Sequence, residues 1–402
     1  MGDIRHITLP AGFVAAGVKC GIKASGREDL AIIASSADAS AAMLTTRNQV
    51  VGAPVLWCRS VLPKGYGVIR GFVINSGCSN VCTGKAGLRD AREMAGLTAG
   101  ALGTQDTRIL VASTGVIGHR LPMDKIRSGI GLAAGQLGTD HDVDALRAIM
   151  TTDTREKSAV VQGRIGKSRV TVAGIVKGSG MIAPSMATMI GVATTDAGVA
   201  PAVLHQALTR AAGMSFNAIT VDSDTSTSDT VVVMASGLAG NEPIRSAKSL
   251  GYRTFRSMLA EICRELARSV VADGEGATKV VEIAVRGARN AAEAEIAAKS
   301  VANSPLFKCA IHGGDPNWGR IAAALGKSSA KVRSDKLKIR IGHVTIFAGG
   351  MGKAFDLKKV TDHLAGKEIL VEADLGLGSG RFTALTCDLS REYITINADY
   401  HT

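Results

Sequence analysis

Aromatic side chains are scarce in this 402-residue chain: Phe, Trp and Tyr together make up 3% of it. With so few rings there is little for nucleic-acid bases to stack on. The formal net charge of +12 does not reverse that exclusion, because Lys and Arg are scattered and interleaved with Asp and Glu. An anionic metabolite fits the charge better. Seven cysteines, with Cys78 and Cys82 the one close pair, argue for reduced thiols rather than a disulfide framework. His119, His141, His205, His312 and His343 stand apart, so zinc-ligand spacing is missing and no metal is expected. No apolar run approaches the ~20 residues of a membrane helix. Met1–His6 carries no apolar signal region. The expectation is a cytoplasmic protein without membrane or nucleic-acid partners.

What remains is aliphatic. Hydrophobic residues make up 46% of the chain and glycines number 47, so the core must be built from Ala, Val, Ile and Leu. Strand-like runs alternate irregularly with helical ones. Arg108–Ser113, Arg169–Val176, Thr230–Met234 and Val280–Val285 read as strands. Arg89–Leu102, Pro201–Met214, Phe255–Val271 and Ala291–Ala302 read as helices. After residue 280 the texture shifts to short strands at Leu337–Ile341, Val344–Phe347, Glu368–Glu372 and Glu392–Ala398. The pattern implies an α+β fold of mixed sheets packed between helices. It divides into a main domain at 1–280 and a smaller C-terminal α+β domain at 281–402.

The segment Lys177-Gly178-Ser179-Gly180-Met181-Ile182-Ala183-Pro184-Ser185-Met186-Ala187-Thr188-Met189 is the richest in chemistry. A threonine hydroxyl is a poor nucleophile without an adjacent base. Scission of the Ala187–Thr188 bond would supply one, the new α-amine of Thr188 itself, with an ordinary pKa of about 8. Gly178-Ser179-Gly180-Met181-Ile182-Ala183 also fits the dinucleotide fingerprint, but Pro184 follows at once and no acid stands at the required spacing. Asp222, Asp224 and Asp229 alternate as in a cation loop, yet the glycine and terminal glutamate of such loops are missing. A hydrogen-bonded turn is the better reading.

Seven segments in order carry a resemblance over nearly the whole chain. They are Asn75-Ser76-Gly77 with Cys82-Thr83-Gly84, Thr151-Thr152-Asp153-Thr154, Lys177–Met189, Thr220–Thr227, Gly274–Lys279, Gly314–Arg320 and Ile396–Thr402. Together the chain resembles the ArgJ-type ornithine acetyltransferase (glutamate N-acetyltransferase) family. Ser185 stands where that family usually has Asn, and Ser223 and Ser228 where it has Gly and Asn.

The resemblance implies an ArgJ/DmpA-like N-terminal-nucleophile-type fold and self-cleavage into chains 1–187 and 188–402, assembled as α2β2. It implies Thr188 as nucleophile with its α-amine as base, and Thr114 and Gly115 as oxyanion hole. Thr154, Lys177, Thr188, Glu275, Asn397 and Thr402 are implied as substrate-binding residues. The implied reaction carries an acetyl group from N2-acetyl-L-ornithine to L-glutamate through acetyl-threonine. No cofactor is implied, and acetyl-CoA stays open as a second donor. Two alternatives stand beside this reading: an N-terminal-nucleophile hydrolase or aminopeptidase that releases its acyl group to water, and a basic binding protein with no reaction at Thr188.

Overall fold

A computed structural model describes residues 6–183 and 189–399. Ala187, Thr188 and Thr402, together with Ser185, lie outside the described residues. Strands β1 (Phe13–Val18) and β2 (Leu30–Thr45) open the chain, followed by helix α1 (Ala53–Val61), β3 (Tyr66–Cys78), α2 (Gly84–Ala101) and β4 (Ile109–Val116). Helices α3 (Met123–Gly135) and α4 (Asp142–Ile149) precede β5 (Ser158–Ile165), β6 (Ser168–Lys177) and β7 (Ile190–Thr195). Then come α5 (Pro201–Gly213), β8 (Thr230–Ala235) and α6 (Tyr252–Ala272).

These strands form one sheet in the order β4-β3-β2-β8-β7-β6-β5, with β1 paired to β2. The pairs β3/β4 and β7/β8 are parallel and the others antiparallel. Every residue of β8 is buried, so helices cover both faces of the sheet. Alternation along β8 assigns its side chains to two cores. Val232 and Met234 join the cluster that includes Trp57, Met94 and Ile130 from α1, α2 and α3. Val231 and Val233 join the cluster that includes Leu208 of α5 and Phe255 of α6. Helix α6 presents Phe255, Leu259, Ile262, Leu266 and Val270 to that core at the 3–4-residue spacing of an amphipathic helix.

A second sheet begins at Val280. Its elements are β9 (Val280–Ala288), α7 (Ala291–Ala302), α8 (Pro305–His312), α9 (Trp318–Gly326), β10 (Lys338–Ile341), β11 (Val344–Ala348) and β12 (Met351–Gly352). Helix α10 (Leu357–Leu364), β13 (Glu368–Asp374), β14 (Gly380–Cys387) and α11 (Arg391–Asp399) complete it. The strand order is β12-β11-β10-β13-β9-β14. This sheet has its own core, in which Val281, Ile283 and Val285 meet Ala297, Val301 and Phe307. Helix α7 starts at Asn290, whose side chain accepts the Glu293 N–H, an N-cap that fixes its first turn. The two units are joined where Thr220 N–H donates to the Leu385 carbonyl at 3.0 Å and the buried Lys308 Nζ donates to the Val221 carbonyl at 2.6 Å.

One expectation is overturned. Glu392–Ala398 reads as a strand, but Arg391–Asp399 is helix α11. The sheet ends at β14, so no partner strand receives this segment. None of its side chains is fully buried, so alternation of apolar residues decides nothing there. Phe255→Ala in α6 is expected to cost about 3–5 kcal/mol of stability by cavity formation, whereas Ile394→Ser on α11, a residue 66% exposed, should cost under about 0.5 kcal/mol. Chemical denaturation of both variants checks the contrast.

Candidate active site

Two strand ends meet beside the loop that carries residue 188. Strand β4 ends in Thr114-Gly115-Val116, paired in parallel with Ser76-Gly77-Cys78 of β3. Gly115 has φ +123°, and a Cβ there would lie 2.4 Å from the Gly77 carbonyl carbon, so only glycine allows this approach. The neighbouring pair is locked by Ser113 Oγ donating to Asn75 Oδ1 at 2.6 Å. Strand β6 ends in Lys177, directly opposite Ile190 of β7, which makes residues 178–189 the connection between two antiparallel neighbours.

Lys177 is buried, and its Nζ donates to Thr114 Oγ1 at 3.3 Å. Burial pulls the ammonium below its ordinary pKa, opposed by the nearby Asp153, Glu275 and Asp229 carboxylates. Asp153 anchors this region. Its Oδ1 accepts Lys157 Nζ at 2.6 Å and Gly178 N–H at 2.7 Å. Burial alone would raise the carboxyl, but Lys177, Lys157 and the Gly178 N–H bring it down to about 2. Lys157 also donates to Asp273 Oδ2 at 2.5 Å. Asp273, which follows α6, receives the Ser179 hydroxyl on its carbonyl at 2.5 Å, and Glu275 N–H donates back to the Ser179 carbonyl at 3.0 Å. The glycine turn after β6 is therefore clamped from both sides.

Glu275 faces this turn so closely that a Cβ on Gly180 would stand 2.3 Å from its Oε2. Asn397 of α11 donates to the same carboxylate at 2.9 Å. Ser226, Thr227 and Ser228 also line the cleft; Thr46 Oγ1 donates to the Ser226 carbonyl at 2.5 Å, Gly52 N–H to the Thr227 carbonyl at 3.0 Å and Ser228 N–H to Ser226 Oγ at 3.0 Å. The result is a cleft of about 130 Å³, bordered among others by Thr114, Gly115, Lys177, Glu275, Asn397 and Ser228.

The cleft thus gathers five of the expected residues: Thr114, Gly115, Lys177, Glu275 and Asn397. Thr154 is not among its lining. Its N–H and hydroxyl both donate to Asp273, while Thr151 and Thr152 face the cleft instead. Ala187, Thr188 and Thr402 lie outside the described residues, but Met189, next after Thr188, donates its N–H to Asp229 Oδ1 at 3.1 Å. Burial raises the Asp229 carboxyl well above its usual range. Asp222 accepts the Met181 and Ile182 N–H groups at 2.6 and 2.8 Å, and burial raises it to about 6 despite those bonds. Ser223 adopts φ +69°, a left-handed conformation that explains a glycine preference at that position. Sequence reasoning missed Lys157 and Asp273. Asp273 stands directly before Gly274-Glu275, a signal that was available; Lys157 offered none.

The family model described as "ArgJ family" matches residues 14–402. The chain belongs to the ArgJ family. Membership makes it an acyltransferase. The arginine biosynthesis bifunctional protein ArgJ of Symbiobacterium thermophilum is 46% identical over 398 residues, covering 98% of each chain. That of Geobacter sulfurreducens is 47% identical over 392 residues, covering 97% of this chain and 99% of its own. A crystal structure of the bifunctional protein argJ from Bacillus halodurans is 40% identical with a TM-score of 0.50, and the match covers 52% of this chain and 97% of that one.

Asp153→Asn tests the anchor. The carboxyl has a folded-state pKa near 2, below the ordinary value near 4. Its contribution is therefore full above pH 4 and lost as pH falls through about 2. The substitution should cost about 3–5 kcal/mol at pH 7, because Lys157 loses one of its two buried carboxylate partners. The gap to the parent should narrow between pH 4 and 2, followed by denaturant unfolding across that range.

Proposed function

We propose that this ArgJ-family enzyme cleaves itself between Ala187 and Thr188 and then carries an acetyl group on Thr188 from N2-acetyl-L-ornithine to L-glutamate. The observation that carries the reading is the convergence of Thr114, Gly115, Lys177, Glu275 and Asn397 on one cleft, beside the β6–β7 connection that holds residue 188.

In the proposed reaction the Thr188 α-amine takes the hydroxyl proton as the oxygen attacks the acetyl carbonyl. Lys177 donates to Thr114 Oγ1, which occupies an oxygen lone pair and leaves the threonine O–H free to donate. Thr114 is thereby turned into a donor for the tetrahedral oxyanion, and the lysine charge behind it strengthens that bond. Gly115, able to approach where a Cβ could not, brings the backbone alongside. Collapse of the tetrahedral state expels the ornithine amine, which leaves with the proton held by the Thr188 amine. Glutamate then attacks the ester through its own amine and regenerates the free hydroxyl. Glu275, braced by Asn397, offers a carboxylate to the ornithine ammonium, and Lys177 a cation to a substrate carboxylate. Thr402 remains a proposed component of the substrate site, and Thr154 a proposed contributor through its bonds to Asp273. No cofactor is required. Acetyl-CoA as a further donor would suit the "bifunctional" names of the relatives.

Two observations support processing into two pieces. The expected second piece, 188–402, is 215 of 402 residues, and the solved Bacillus halodurans chain matches 52% of this chain while nearly all of its own length is covered. Strands β7 and β8, both after residue 188, also lie between β2 and β6, both before it. Cleavage would leave the pieces interlocked through one sheet, a natural protomer for an α2β2 assembly.

Intact mass spectrometry of the native protein should return two masses divided at Ala187–Thr188, which co-elute until denatured. Thr188→Ala should return one uncut, inactive chain. Thr114→Ala should lower acetyl transfer about 10²–10³-fold without unfolding the protein. Incubation with acetylornithine alone distinguishes hydrolysis, which would release acetate, from transfer, which needs glutamate. A single uncut chain with full transfer activity refutes the proposed mechanism.

A further inference from the structure

On the far side of the α5–α6 layer, away from the catalytic cleft, the two helices frame an open groove of about 570 Å³. Four arginines line it: Arg210 from α5 and Arg253, Arg256 and Arg264 from α6. Leu208 and Phe255 turn the opposite faces of these helices into the core, so the arginines belong to the solvent face. The three on α6 follow one helical stripe from residue 253 to 264, about 16 Å at 1.5 Å per residue, and Arg210 of α5 stands across the groove from it. No carboxylate lines the groove. Among the described residues none of the four guanidinium groups has an ion-pair partner, although arginines elsewhere, such as Arg120, Arg127 and Arg147, do. Arg256 lies over the Tyr252 ring at 5.9 Å, a cation–π contact. Met214, 61% exposed, and Ala260 supply an apolar floor.

Four guanidinium groups without ion-pair partners around one groove make a positive patch that a multivalent anion would match. Guanidinium forks match phosphate oxygens in bidentate geometry. We propose that the α5–α6 groove is a binding site for a small polyphosphate, either inorganic or carried on a nucleotide. A second copy of this chain fits poorly, since two such faces brought together would repel. Single-stranded nucleic acid fits poorly as well, because no aromatic side chain lines the groove and the charged stripe stops after ~16 Å. The site is separate from the acetyl-transfer cleft, with which it shares no lining residue. It does not depend on the reaction proposed for that cleft.

Isothermal titration of the native protein at about 50 mM salt, where screening is weak, tests the site with tripolyphosphate, ATP, AMP and a 20-mer oligodeoxynucleotide. Tripolyphosphate or ATP should bind saturably, one per protomer, and AMP at least tenfold more weakly. Tighter binding of ATP identifies a nucleotide; equal binding identifies the bare polyphosphate. The double reversal Arg253→Glu, Arg264→Glu should weaken binding at least tenfold, in keeping with the loss of two charge-assisted contacts, while acetyl transfer stays unchanged. Should that variant fail to fold, Arg253→Gln, Arg264→Gln is expected to show the same direction of change. Unaltered affinity in the folded variant overturns the proposal, as does the lack of saturable binding to either polyphosphate. So does tighter binding of the oligonucleotide, which would mark an extended nucleic-acid surface. A lower sedimentation coefficient in the reversal variant would mark an interface between copies and overturn it equally.

Discussion

A single buried carboxylate, Asp153, governs the geometry of the cleft. It sits beside Lys157 and near Lys177, both buried, and it also receives the Gly178 N–H. Two lysines in an apolar interior would each be driven toward neutrality or expelled. Lys157 is paired directly with both Asp153 and Asp273, and Asp153 opposes the effect of burial at longer range for Lys177. The same contacts pull three separate stretches of chain together: the 151–157 loop, the turn after β6, and the end of α6. Removing one charge from such a cluster leaves the others unpaid in a medium that cannot solvate them.

Around that cluster the backbone is aimed by glycines whose positions have steric causes. Gly115 lies against Gly77, and Gly180 against the Glu275 carboxylate. At both places a side chain would collide with atoms already there, the Gly77 backbone in one case and the Glu275 carboxylate in the other. The turn that follows Lys177 is then tied on one side to Asp273 and Glu275 and on the other to Asp222, which receives Met181 and Ile182. The described part of this turn, residues 178–183, is therefore fixed at several points of its backbone.

Much of the fold was legible because period and length agreed with burial. Helix α6 shows its apolar stripe in the sequence, and α7 spans Ala291–Ala302 as its helical texture indicates. Strands β4, β6, β8 and β9 announce themselves by β-branched runs. The long β2 strand was missed, since its Ala- and Ser-rich sequence, Leu30–Thr45, carries little β-branched signal and bends where the register shifts between Ala34 and Ala39. Segment 392–398 misled because its alternation of apolar residues imitates a strand that has no partner. Thr114, Gly115, Lys177, Glu275 and Asn397 were legible only through the ordered motifs of a family; taken singly, each is an ordinary turn, surface or loop residue.

By itself the chain determined its class: an aliphatic α+β protein with a threonine placed after a glycine turn and seven motifs in family order. Those are local properties, set by composition, period and spacing. Only the tertiary structure decided that Thr114 of β4 would stand within 3.3 Å of Lys177 of β6, that Thr154 would turn to Asp273 while Thr151 and Thr152 face the cleft, and that four arginines from two helices would share one groove. Such meetings depend on strand order and helix packing over separations of tens of residues, and no local pattern encodes which distant side chains a sheet will bring together.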